Sequence, residues 1–101
     1  MSAPPPDWTP CVGPGWRPLV QMLQEYAKLH GVTVVQVKEK FGGLRFYYGG
    51  APEWFGKLAD ECEAASYYIC EECGTPGRQT DRGWVRTECE ECEKEAEKPG
   101  A

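Results

Sequence analysis

Six cysteines are the residues of this chain best suited to chemistry, and four of them are spaced to act together. Cys70-Glu71-Glu72-Cys73 and Cys89-Glu90-Glu91-Cys92 are two C-x2-C pairs with fifteen residues between them. Two residues between cysteines let a tight turn aim both sulfurs at one point, with backbone N–H groups facing them. Two such turns supply the tetrahedral thiolate set of a structural zinc ion. Gly74, directly after the first pair, can take the positive φ that this turn needs. Four sulfurs leave no position for water, so the expected cofactor is a structural Zn2+ that shapes the chain and does not react. Two disulfides, redox-active C-x-x-C motifs or an iron–sulfur site are the alternatives for the same four residues. The sequence lacks the βαβ pattern and export signal that would favour the first two.

Cys62 falls on an apolar helical stripe and reads as a buried, inert thiol. Cys11 lies in a Pro/Gly-rich segment and reads as free, with a Cys11–Cys62 disulfide left open. His30, the one histidine, sits at a predicted helix C-terminus, where it favours the exposed carbonyls. It has no Cys or Ser near it in sequence to make a catalytic pair, so enzymatic activity is not expected.

The elements that must position the cysteines follow from periodicity. Residues 1–15 hold most of the prolines and read as a flexible tail that docks through one or both of Trp8 and Trp16. Pro18 suits the first turn of a helix. Leu19, Met22, Leu23, Tyr26 and Leu29 then recur at helical spacing, and Gly31 closes the helix after His30. The β-branched run from Val32 to Lys38 is a strand. Gly42-Gly43 marks its return, and Leu44 to Tyr48 is the second strand of a hairpin. Alternation places Leu44, Phe46 and Tyr48 with Val35 and Val37 beneath the helix, and Arg45 and Tyr47 with Gln36 and Lys38 on the other face. Pro52 opens a second helix whose stripe is Phe55, Leu58, Cys62, Ala65 and Ile69, running directly into Cys70. The stretch from Gly77 to Thr87, centred on Asp81-Arg82-Gly83, fits a short hairpin carrying Trp84. Residues from about Cys89 to Lys98 favour helix. The expectation is an α+β fold: an α-ββ-α layer over 16–69, then a zinc ribbon with a C-terminal helix over 70–98, packed on that layer.

Three further groups are candidates for partner contact. Lys38, Lys40 and Arg45 alternate with aromatics that include Tyr47, a surface that would stack bases and meet phosphates or hold an acidic loop. An ordinary hairpin with solvated cations is the plainer reading. Gly42-Gly43 lacks the longer glycine pattern of a phosphate loop. Arg78, Arg82 and Arg86 lie on or beside the second hairpin, with Trp84 among them. Glu90, Glu91 and Glu93 belong to an acidic set suited to a solvated helix face, to phosphate mimicry or to a basic protein surface.

Charge is segregated. Residues 1–59 carry six basic and four acidic side chains, and residues 60–101 carry five and twelve. Four thiolates on a divalent ion would deepen the formal charge of −5 to −7, which argues against loose electrostatic attachment to nucleic acid or anionic membrane. No apolar run reaches the roughly 18 residues that span a bilayer, and no secretory signal opens the sequence. The expected location is the cytoplasm.

Three blocks together resemble a family of small proteins of bacteriophages and prophages. They are Gly15-Trp16-Arg17-Pro18-Leu19, the run from Val35 to Tyr48 built around Lys-Glu-Lys-Phe-Gly-Gly-Leu-Arg, and Cys70 to Cys92. The resemblance implies a phage context inside a bacterial cell and carries no established activity. On it rests the expectation of a non-enzymatic zinc-binding protein that engages a host protein or protein–nucleic-acid complex, as an inhibitor of a defence or nucleic-acid-processing machine. A nucleic-acid-binding zinc ribbon and a phage structural or assembly accessory are the alternatives.

Overall fold

Proline and tryptophan organise the entry of the chain. The computed structural model describes residues 6–97; Met1 to Pro5 of the expected tail, and Lys98, lie outside them. Two 3₁₀ turns, Thr9–Cys11 and Pro14–Trp16, lead into helix α1, Arg17–Leu29. Pro10, Pro14 and Pro18 each stand in the first turn of an element, where a missing N–H is not needed. Trp16 is fully buried, and its Nε1–H donates to the Ile69 carbonyl at 2.8 Å. Val12 is buried and Trp8 packs half-buried against the core. Over residues 6–15 the expected tail is thus a packed segment, anchored by both tryptophans.

Helix α1 turns a different face inward from the one expected. Its buried positions are Val20, Leu23 and Ala27, continuing the line of Trp16, while Leu19 and Met22 are half-buried at the flank. Tyr26 is 41% and Leu29 75% exposed. The fully buried indole decides the rotation: burying Trp16 brings the positions four, seven and eleven residues later onto the same side.

Strands β1, Thr33–Lys40, and β2, Gly43–Gly49, form an antiparallel hairpin. Its two-residue turn is Phe41-Gly42, with φ 54° and 77°, the pattern of a type I′ turn that matches strand twist. The register shifts between Val34 and Gln36, pairing Val34 with Tyr48 and Gln36 with Tyr47. Val35 is the extra residue, 62% exposed, which corrects its expected place beneath the helix. The bulge changes the phase of the alternation, so Val34 shares the inner face with Val37, Leu44, Phe46 and Tyr48. Gln36, Lys38, Arg45 and Tyr47 keep the outer face.

Helix α2, Glu53–Ser66, is capped by Pro52 and buries Phe55, Ala59, Cys62 and Ser66. Phe55 packs against Tyr48 and Phe46, with ring centroids 5.0 and 6.2 Å apart. Ile69 lies beyond the helix, where it bridges Pro76, and Ala65 is only half-buried. Ser66 takes the place expected for them because its hydroxyl accepts the Leu44 N–H, 2.9 Å, at the start of β2. The helix therefore stops short of Cys70, and Tyr67-Tyr68-Ile69 makes the connection.

The remaining elements are a second hairpin, β3 Arg78–Asp81 and β4 Val85–Glu88, and helix α3, Glu90–Glu97. Arg78 pairs with Glu88 and Asp81 with Val85, and Gly83 turns the loop at φ 100°. The fold is α+β in the expected order: helix, hairpin, helix, hairpin and C-terminal helix, with the cysteine cluster in its last third. Among the described residues, no helix is long and apolar enough to cross a membrane.

Candidate metal centre

Cys70 follows the Ile69–Pro76 bridge and begins a tight turn. The Gly74 N–H donates to the Cys70 carbonyl at 3.0 Å, and the Cys70 N–H to the Thr75 carbonyl at 2.8 Å. Gly74 sits at φ 80°, the left-handed conformation that its position in the sequence called for. Cys89 leaves the end of β4 and Cys92 lies in the first turn of α3. The Cys92 N–H faces the Cys89 Sγ at 3.4 Å. The four Sγ atoms all lie within 4.8 Å of one another, and Cys73 and Cys89 approach to 3.5 Å. A tetrahedral zinc site with bonds of about 2.3 Å would hold its sulfurs about 3.8 Å apart. Donor chemistry and spacing both suit a metal ion, and these four cysteines could hold one.

The surroundings favour thiolate. The Cys92 backbone N–H, then the Thr75 hydroxyl, draw the Cys89 thiol down to about 6. The Thr75 hydroxyl and N–H also lower Cys73. Cys92 moves the other way, because its neighbour Cys89 is the better home for the negative charge. Outside the cluster, burial raises the thiol of Cys62, as expected for an inert core cysteine. Cys11 is exposed, and neither is disulfide-bonded.

Glycines bring the rest of the chain against this turn. The Gly15 N–H donates to the Glu71 carbonyl at 2.7 Å. A Cβ at Gly15 would overlap the Cys70 carbonyl oxygen, and one at Gly13 the Glu71 carbonyl oxygen. From the other side, the Thr87 hydroxyl donates to the Gly42 carbonyl at 2.6 Å and the Gln79 amide to the Phe41 carbonyl at 3.1 Å. The Gly-Pro-Gly-Trp and Phe-Gly-Gly segments are thus docking surfaces for the cysteine module. Sequence reasoning read Gly42-Gly43 as a strand return and gave Gly13 and Gly15 no role of their own.

Buried polar groups tie the module together and were also missed. The Glu71 carboxylate accepts the Thr87 N–H at 2.7 Å, yet burial dominates and pushes its carboxyl up. Glu88 is 1% exposed. Burial alone would raise it, but hydrogen bonds from the Thr80 hydroxyl and the Arg82 guanidinium outweigh that and lower it.

The candidate partner residues fall into two sets. On the second hairpin, Arg82 meets Glu88 at 2.9 Å, Arg86 meets Glu72 at 2.8 Å, and Arg78 pairs with Glu93. Trp84 is exposed, with the Arg82 guanidinium 5.3 Å from its ring. Glu90 pairs with Lys94 at 3.2 Å, and Glu91 is exposed. Each of the three arginines is therefore answered by a carboxylate of its own module. On the first hairpin, Lys38 lies 5.8 Å from the Tyr47 ring and Lys40 5.7 Å from the Phe41 ring. Neither lysine has a carboxylate partner among the described residues. Arg45, opposite Lys38, is half-buried and occupied with Glu63 and the Tyr67 hydroxyl.

Fold and site together define a small α+β protein with a four-cysteine centre suited to a metal ion. No family model matches the chain, and no match is found among curated proteins or solved structures.

Proposed function

We propose that this is a non-enzymatic, zinc-stapled binding protein of the phage or prophage kind that its motifs resemble, engaging a host macromolecule in the bacterial cytoplasm. The observation that carries the reading is the closed sulfur set, clamped between the Gly13–Trp16 segment and the Phe41-Gly42 turn. Cys70, Cys73, Cys89 and Cys92 would hold Zn2+, and the ion supplies cross-linking alone, since four thiolates complete its coordination. Such a metal organises surface and leaves recognition to side chains.

The outer face of the first hairpin is the proposed contact region. Lys38 and Lys40 retain unneutralised charge there beside the exposed rings of Tyr47 and Phe41. The pairing of Arg78, Arg82 and Arg86 with carboxylates of their own module favours the first hairpin over the second as the contact region. The leading partner is a host protein or protein–nucleic-acid complex whose action the protein blocks. Direct nucleic-acid binding is the second reading, favoured by the two cation–aromatic pairs, which suit a single strand.

Affinity capture from a bacterial lysate, read by mass spectrometry, tests the leading reading. One host complex should be retained by the native chain and lost with Lys38→Glu/Lys40→Glu, while Glu90→Gln/Glu91→Gln/Glu93→Gln tests the acidic helix as an additional contact. A salt-dependent shift of labelled single-stranded DNA or RNA without any captured protein would replace that reading with the second.

A further inference from the structure

Helix α1 carries two apolar stripes and its own fold uses one. Val20, Leu23 and Ala27 face the core. Beside that stripe Pro18, Met22, Tyr26 and Leu29 line a shallow groove of about 540 Å³, rimmed by Gln21 and Glu25, with Met22 half-buried where the groove meets the core. Its aromatic end is braced rather than loose. Tyr26 stacks on His30 with centroids 6.4 Å apart and meets Trp54 edge-on at 6.1 Å. Trp54 is itself 43% exposed. A contiguous apolar face held rigid by ring contacts marks an interface.

Charge on the rim says what covers it. At 100° per residue, Arg17, Gln21 and Glu25 run along one flank of the groove. Arg17, which continues the Gln21–Glu25 row beyond the groove lining, acts at longer range on Asp7 but forms no direct ion pair among the described residues, nor does Glu25, which accepts the Gln21 amide at 2.6 Å. When two copies of α1 lie antiparallel across a twofold axis, the same flanks meet. With Arg17 of one copy facing Glu25 of the other, twice over, the axis falls at Gln21, and Met22 then packs beside its copy and Pro18 beside Tyr26, each about 3 Å along the helix from direct opposition. The face is complementary to itself in both shape and charge, as an isologous contact requires.

We infer that the outer face of α1 is a twofold homodimer interface, and that its occupant is a second copy of this chain. One helix and a flanking tryptophan make a small patch, so the dimer dissociates on the order of micromolar.

Sedimentation equilibrium of the zinc-loaded full chain, up to about 100 micromolar, is the test. The expected species has twice the 11.3 kDa mass of one chain. Arg17→Glu and Glu25→Arg, both exposed changes, should each weaken it about tenfold. An equimolar mixture of the two single variants should recover a dimer by heterologous pairing, as should the double variant with itself. Tyr26→Glu should give monomer with unchanged circular dichroism and zinc content. A single-chain mass throughout the concentration range overturns the inference. So does a dimer indifferent to both charge reversals and to Tyr26→Glu, because that dimer uses another surface.

Discussion

Gly15 stands where the chain passes closest to the first cysteine turn. The atoms that a Cβ would meet there are backbone: the Cys70 carbonyl oxygen, the Gly74 nitrogen and the Glu71 carbonyl carbon. Backbone of this kind moves only with the cysteines attached to it. Gly15→Ala should therefore destabilise the zinc-loaded protein by about 3 kcal/mol, measured by urea denaturation, and should weaken zinc retention against a chelator. Gly49→Ala is the control. A Cβ there meets nothing within 4 Å and the residue is not at positive φ, so its effect should stay within about 0.5 kcal/mol. Equal losses from the two changes would remove the clamp from the account. The cysteines themselves were legible because two sulfur pairs at short spacing have few other uses. The clamp was not, because a glycine needed for close approach and one needed for a turn look identical in a sequence.

At the scale of elements, the turn of the first hairpin carries a local conflict. Type I′ geometry favours Asn-Gly, yet position 41 is an aromatic residue at φ 54°, 64% exposed. Phe41 gains little burial in return for that conformation, and its ring instead lies 5.7 Å from the Lys40 ammonium on the proposed contact face. Phe41→Asn should raise stability by about 1 kcal/mol while weakening capture of the partner. Higher melting temperature with undiminished capture would detach Phe41 from the proposed contact face. The order of elements was readable from glycines, prolines and period, and the structure keeps it. Faces were harder. The bulge at Val35 moved one valine outward and brought Val34 in, which no count of alternating residues contains. In α1 both stripes are apolar, so periodicity gave a helix without saying which side is core; Trp16, outside the expected stripe, made that choice. In α2, Ser66 displaced Ala65 and Ile69 because a buried strand N–H needed an acceptor, and hydropathy cannot register that need.

For the whole molecule, the cysteine module is the piece on which other parts rest. Trp16 donates to Ile69, Gly15 to Glu71, Thr87 to Gly42 and Gln79 to Phe41. Zinc binding in comparable small sites is worth about 10–16 kcal/mol, comparable with the entire stability of a domain this size. Chelation should therefore do more than melt residues 70–92. It should also expose the Trp16 indole N–H to solvent exchange, read from its own proton resonance, and abolish the cooperative thermal transition, both reversed by added zinc. Intact burial of Trp16 after metal removal would mean that the α-ββ-α layer folds without the centre. The charge of the cysteine half, which reads from composition as an acidic surface, is in part spent inside it. Glu72, Glu88 and Glu93 each answer an arginine of the second hairpin, and only coordinates reveal such pairing.

The bond from the Trp16 indole to the Ile69 carbonyl also sets an order of events during synthesis. A ribosome releases the tryptophan long before it makes the carbonyl, and the last two sulfurs follow later still. Until then the indole has no berth and travels exposed. With zinc in the centre, as proposed, maturation would wait on late-made thiols and on free zinc supply, and cells starved of the ion should accumulate this chain as a protease-sensitive nascent product.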